Sequence, residues 1–346
     1  MMKLRTFASR IGLAVFAAVA CQAAMAQQPT LNLYSARQYQ TDEALYGLFT
    51  KNTGVAINRI ESDDTGIVNR LKSEGAASPA DVVLLVDAAR LHKAEQAGLF
   101  APVNSEILNK SIPPSLRAKS WFGFSTRARV IVYDKDKVAQ TDVDTYEKLA
   151  DPKNKGKLCT RSGSHPYNLS LFGSVLEHKG EAATQQWLNG LVANMAREPK
   201  GGDTDQIKAV ASGECQIAIT NSYYLARLMR SSKPEDKAVA DKVAVVFPNQ
   251  ATTGTHVNIA GAAVAKHSKQ PALAVKFLEF LASPPAQEYF ANGNNEWPAV
   301  PSVKLDNPAL KAMTGGKDFK ADKLEIEKIG ANQAKVQMML DKAGYK

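Results

Sequence analysis

Four tyrosines carry the chemistry this chain could perform. Tyr223 and Tyr224 stand side by side, and Tyr39 and Tyr167 each lie just beyond a strand-like run. A phenol is normally neutral, with a pKa of about 10, but a bound cation stabilises its deprotonated form. Phenolate is then an anionic oxygen donor, and a small, hard ion such as Fe³⁺ takes oxygen in preference to sulfur. Three or four phenolates would neutralise that charge and reward Fe²⁺ less. The competing reading is packing, with rings buried and hydroxyls at the surface. The shared position at strand ends strengthens the metal reading, and on the residues alone both readings stand.

Those strand ends follow from the order of elements. Leu31–Ser35 reads as a strand. Thr41 caps a helix with Leu45, Leu48 and Phe49 on its apolar face, and Gly54 ends it. Residues 55–60 alternate as a strand does, a helix runs through Ile67, Val68 and Leu71 to Gly75, and residues 81–86 form a buried-strand run. Ala88–Gln96 is helical, stopped by Gly98, with Asp87 as its cap. Such alternation implies an α/β fold with a parallel sheet and helices on its faces. Arg129–Tyr133 is a further strand and a plausible first crossing into a second lobe. Helices are expected over 169–178, 182–191, 206–211, 272–282 and 285–291, with strands over 215–220, 242–247 and 257–265 and a helical tail from Ala321. In open α/β sheets ligands gather beyond the carboxyl ends of strands, which is where Tyr39, Tyr167 and Tyr223-Tyr224 fall.

The N-terminus reads as an export signal. Lys3, Arg5 and Arg10 precede the apolar stretch Ile11–Ala20, and Ala24-Met25-Ala26 supplies the small-x-small cleavage pattern. Cleavage after Ala26 is expected; Cys21 as a lipid-anchor site is the rival, weakened by Ala18 where a leucine is wanted. No later run is long enough for a membrane helix, so a soluble, periplasmic protein is expected. Cleavage would remove three cations from a formal net charge of +9. The rest are interleaved with acids, as in Asp134-Lys135-Asp136-Lys137, which speaks for a solvated surface and against nucleic-acid binding. A chain of 346 residues exceeds one comfortable core and suggests two lobes. Cys159 and Cys215 each lie eight residues before a tyrosine, Tyr167 and Tyr223. If both segments are neighbouring strands a disulfide is favoured, with two buried thiols as the alternative.

The segments Tyr34-Ser35-Ala36-Arg37-Gln38-Tyr39, His165-Pro166-Tyr167-Asn168 and Asn221-Ser222-Tyr223-Tyr224-Leu225 carry a resemblance, together with Thr126–Tyr133 and Gly254–Ile259. The chain resembles the periplasmic ferric-ion-binding proteins of bacterial iron ABC importers. The resemblance implies the two-lobed type II periplasmic binding protein fold, each lobe a mainly parallel sheet flanked by helices. It places the first lobe at 27–129, with 254–304 returning to it, and the second at 130–253, with C-terminal helices over 305–346. It also implies Tyr167, Tyr223 and Tyr224 as Fe³⁺ ligands from the second lobe, Tyr39 arriving from the first lobe on closure, and delivery to an ABC permease by a monomer. Many relatives carry a histidine ligand where this chain has Gln38, so a fifth position is open to water, carbonate or the Gln38 amide. Arg127 and Arg227 are implied as anion-binding or supporting groups, with Arg129 in reserve; a guanidinium can hold carbonate through two parallel hydrogen bonds. Surface or hinge salt bridges are the competing role for them.

Two other functions compete: a binding protein for another anion or small solute, using Gly-, Ser- and Thr-rich turns ahead of helices, and an exported enzyme. Gly-x-Ser-x-Gly, His-Glu-x-x-His and Cys-x-x-Cys motifs are absent from the sequence, and Ser164-His165 lacks an identifiable third partner.

Overall fold

The computed structural model describes residues 28–37 and 40–346, without the side chains of 326 and 327. The expected signal peptide, Gln38 and Tyr39 lie outside the described residues. The chain opens as β1 (Thr30–Ser35), α1 (Asp42–Thr53), β2 (Ala56–Glu61), α2 (Asp64–Glu74), β3 (Val82–Leu85), α3 (Ala88–Gln96), β4 (Phe100–Ala101) and α4 (Glu106–Ser111). Local chemistry sets these limits. Gly54 ends α1 in the left-handed region at φ 73°, a conformation that costs glycine little. Asp87 caps α3 by accepting the Arg90 amide at 3.1 Å.

Strand β5 (Trp121–Asp134) is the spine of the molecule. Its first part runs antiparallel to a later strand as far as Ala128, and from Arg129 onward it pairs with others. The expected strand at 129–133 is therefore only the second part of a longer one. Beyond it come β6 (Leu158–Cys159), α5 (Pro166–Ala193), α6 (Asp203–Ser212), β7 (Ile217–Asn221), α7 (Ser222–Met229), α8 (Pro234–Lys242) and β8 (Val243–Val246). The chain returns through β9 (Val257–Ala265), α9 (Pro271–Leu281), α10 (Pro284–Asn294) and β10 (Trp297–Pro298), and finishes with α11 (Pro308–Met313), α12 (Ile326–Ala331) and α13 (Gln333–Ala343). The two helices expected near 169–191 are both present within α5, separated at Gly180, whose φ of 77° and ψ of 171° leave the helical region.

The strand order β2-β1-β3-β9-β5-β7-β6 is mixed. Parallel pairing, as expected, joins β1 to β2 and β3, and β6 to β7. The correction concerns β5 and β9: both run antiparallel to their neighbours, because they carry the chain from one half of the sheet to the other and back.

Strand alternation divides the core into layers. Leu31 and Leu33 of β1 face a cluster with Phe49, Phe122 and Phe277, while Tyr34 faces the opposite side with Val83, Leu85 and Trp121. In the other half Ile131 and Tyr133 pack with Ile217, Ile219 and Trp187, and Val130 and Val132 pack with Ala218 and Leu225. Two helices of the tail pack on this second half, α13 inserting Val336 and Leu340 and α11 inserting Leu310, while α12 packs on α3 as well as on α5. Among the described residues no helix is long and apolar enough to cross a membrane.

Candidate metal centre

The parallel pair β6 and β7 positions the site. Each is followed by a helix, and each helix places a tyrosine at its second residue: Tyr167 in α5 and Tyr223 in α7. Because the two strands are neighbours, the two helix starts are neighbours as well. The Tyr167 and Tyr223 hydroxyls lie 3.2 Å apart, with both side chains buried. Tyr224 follows in the first turn of α7, its ring stacked on that of Tyr223 at 4.2 Å between centroids. Tyr223-Tyr224 thus follow a strand closely, as expected, and open the helix that comes directly after it. A helix start favours negative charge, so phenolates there meet a supportive field. Cys159 and Cys215 are joined by a disulfide, Cα to Cα 5.9 Å, upstream of these two helices.

Four guanidiniums surround the three rings. Arg127, Arg129 and Arg161 lie 5.8, 5.9 and 5.1 Å from the Tyr167 ring centre. Arg227, exposed, lies 5.8 Å from Tyr223 and 5.6 Å from Tyr224. Nearby positive charge favours a deprotonated phenol. The buried arginines are held in turn by acids and amides. Arg129 donates to Asp203 at 2.5 Å, to Asn221 at 3.1 Å and to Asn168 at 2.7 Å. Arg161 shares Asp203 at 3.3 Å. Arg127 donates to Glu296 at 3.1 Å, to the Ile259 carbonyl at 2.7 Å and to the Val86 carbonyl. Burial opposes ionisation of Glu296, but Arg37 and Arg127 outweigh it and hold its carboxyl below the usual range.

His165 does not point to metal ligation. Its Nδ1 accepts the Tyr167 amide at 3.2 Å and caps α5. Burial, with Arg161 and Arg129 adding to it, pulls its pKa down to about 3, so it is neutral at ordinary pH. Asp87, as expected, is a helix cap; its other oxygen accepts Asn258 Nδ2 at 2.7 Å. Gln38 and Tyr39 lie outside the described residues, but residues on either side of them are pinned. Arg37 donates to Asp42 at 2.8 Å and to Glu296 at 2.8 Å, and Asp42 begins α1. Among the described residues, no group of three His, Cys, Asp or Glu side chains gathers to hold a metal. The donors the described residues offer here are phenol oxygens, consistent with a hard cation.

Sequence reading missed Asp203, Glu296, Asn168, Asn221 and Arg161. Asn168 and Asn221 sit beside the tyrosines in sequence, which is a usable signal. Asp203 and Glu296 reach Arg129 and Arg127 across 74 and 169 residues, and no local pattern announces them.

With this geometry in place, comparison with known proteins is informative. The profile described as bacterial extracellular solute-binding protein matches residues 44–323. Iron uptake protein A1 of Synechocystis sp. is 47% identical over 322 residues, covering 92% of this chain and 88% of the relative. The solved structure of Trichodesmium FutA (IdiA) in complex with iron and citrate ligands superposes with a TM-score of 0.87 at 50% identity, covering 92% of this chain and all of that one. A ferric binding protein from Campylobacter jejuni superposes at 0.85 with 35% identity, covering 91% of this chain and 100% of that one. These likenesses place the fold among type II periplasmic binding proteins. They also set the exported-enzyme alternative aside. The chain belongs to the bacterial extracellular solute-binding protein family.

Proposed function

We propose that the protein captures Fe³⁺ in a cleft between two lobes and hands it to an ABC permease of the inner membrane. The observation that carries this reading is the 3.2 Å approach of the Tyr167 and Tyr223 hydroxyls with Tyr224 stacked beside them. Tyr167, Tyr223 and Tyr224 supply phenolates from the second lobe, at two helix starts and under four guanidiniums. Tyr39 joins from the first lobe, and the residues flanking it are held by the Arg37–Asp42 pair. Names of relatives support the cargo: an iron uptake protein, a ferric binding protein, and a structure holding iron and citrate.

The first lobe comprises 27–129 with 254–304 and the second 130–253 with 305–346; the change of β5 partners after Ala128 supports a crossing near there. Arg227, exposed beside Tyr223 and Tyr224, is the arginine placed to meet an anion such as carbonate that completes the iron shell. Arg127 instead works from behind Tyr167, where Glu296 fixes it. Gln38 is a polar neighbour of the fifth position. The mature protein, cleaved after Ala26, works in the periplasm as a monomer.

Protein loaded with ferric ion should show a visible phenolate-to-iron charge-transfer band. Tyr223→Phe and Tyr224→Phe should abolish both the band and tight binding; unaltered iron titrations in both variants would remove the site. Binding releases phenolic protons, so affinity should fall as pH is lowered.

A further inference from the structure

The buried arginines around Tyr167 are matched by acids, Asp203 and Glu296. The cations beside Tyr224 are not. A cleft of about 570 Å³ is lined by Tyr224 together with Lys208, Arg227, Arg230 and Lys233, all four of them exposed. The one acid in that lining is Asp236, and it accepts Ser231 Oγ at 2.7 Å. Among the described residues none of the four cations forms an ion pair. Arg230 spends its Nη1 on two neutral acceptors, the Asn292 carbonyl and Asn295 Oδ1, and its Nη2 donates to no described residue. Lysines elsewhere on the same half are paired at close range, as Lys148 is with Asp144 at 2.6 Å and Lys179 with Glu147 at 2.8 Å. A cleft lined by one sign of charge concentrates ions of the other sign. It also repels an aquated ferric ion. Arg227 suffices for a small anion such as carbonate, which leaves Lys208, Arg230 and Lys233 without a role.

We propose that these three receive the carrier of the cargo: iron reaches the site as a ferric chelate with oxygen donors and several negative charges, not as a bare or neutral species. The proposal rests on the ferric-ion reading above and names the substrate class of that site. Lysine is a compact charge on a flexible stem, suited to the outer oxygens of such a chelate, and Tyr224 lines the same cleft. Iron stays ferric throughout. Each phenol that binds it releases a proton to water, and each chelate oxygen it displaces leaves as a free anionic group.

Two probes test this at low salt, where exposed charges are least screened. The first is tris(oxalato)chromate(III), a trianion that does not exchange its ligands and so reads the cleft without the tyrosines. Wild type should bind it, and Lys208→Gln/Lys233→Gln should bind it about tenfold more weakly, the scale for losing two exposed charge contacts. Lys51→Gln/Lys72→Gln removes the same charge from α1 and α2 and should bind it within about twofold of wild type. The second probe is the rate of iron transfer into the protein. From tris(oxalato)ferrate(III) it should slow about tenfold in Lys208→Gln/Lys233→Gln, and from the neutral tris(acetohydroxamato)iron(III) it should stay at the wild-type rate. Equal binding of the chromium anion by wild type and Lys208→Gln/Lys233→Gln would overturn the proposal. So would an equal loss in Lys51→Gln/Lys72→Gln, which would trace the effect to net charge, or equal slowing with both iron chelates. Wild type that takes up ferric ion but ignores the chromium anion would overturn this inference alone. Wild type that binds the chromium anion but takes up no ferric ion would overturn the ferric reading and the cargo assigned here.

Discussion

Removing the Cys159–Cys215 bridge tests how the two tyrosine-bearing helices are held in register. The bridge closes a loop of 56 residues. In the chain-entropy picture, opening such a loop destabilises the folded protein by about 4 kcal/mol at 25 °C, through the freedom gained by the unfolded chain. Both cysteines are buried, so alanine is the substitution that adds no polar group. A bridge is lost as soon as either partner is lost. Cys159→Ala, Cys215→Ala and the double variant should therefore all lose a similar amount, and the double variant should lose no more than about 1 kcal/mol beyond either single one. Urea unfolding of the unloaded, oxidised proteins followed by circular dichroism supplies the measurement. The ferric band of each variant should stay where it is in native buffer, because the β6–β7 pairing and the helix starts do not depend on the sulfurs. Losses that add, or a single-variant loss below about 1 kcal/mol, would refute the reasoning, since independent buried thiols behave additively.

Three further outcomes follow from the same contacts. His256 is buried, its Nε2 against Ser170 Oγ at 3.0 Å, and burial pulls its pKa down to about 4. The unfolded chain takes up a proton below about pH 6.5 while the folded one does not. Stability is thus full above that pH and falls by on the order of 3 kcal/mol as pH drops toward 4; thermal melts of wild type against His256→Asn should show the slope flattened in the variant. Asp203→Ala removes the carboxylate that holds Arg129 and Arg161 and the Asn221 amide at 2.7 Å, and should cost about 3–5 kcal/mol by leaving buried cations without their acid; a melt within error of wild type would deny that network its role. Tyr39→Phe should weaken ferric binding less than Tyr223→Phe, since the first-lobe ligand joins only on closure, and equal losses in a competitive titration would contradict that order.

Much of the fold could be read where one residue decides a local outcome. Gly54 and Asp87 mark helix limits through a left-handed cap and a side-chain acceptor, and both act as read. The helix read over Ala88–Gln96 and the strand read over 257–265 are found with those bounds. The first part of β5 was missed because Trp121-Phe122-Gly123-Phe124 interrupts alternation: the strand is buried on both faces, and its register slips between Gly123 and Ser125. Tyr223-Tyr224 were placed correctly along the chain but not in a helix, because β7 passes into α7 with no intervening loop to announce the change. The acids that hold the arginines could not be read at all. Asp203 looks like an ordinary first-turn residue of α6, and Glu296 like a loop acid; only the folded sheet brings them to Arg129 and Arg127.

Diffraction from crystals soaked in ferric citrate, collected on both sides of the iron absorption edge, locates the cargo directly. A single anomalous peak bonded to the oxygens of Tyr167, Tyr223 and Tyr224, with Tyr39 closing from the other lobe, is the predicted result. Iron bound only to surface carboxylates, with the Tyr167 and Tyr223 hydroxyls still hydrogen-bonded to each other, would contradict it.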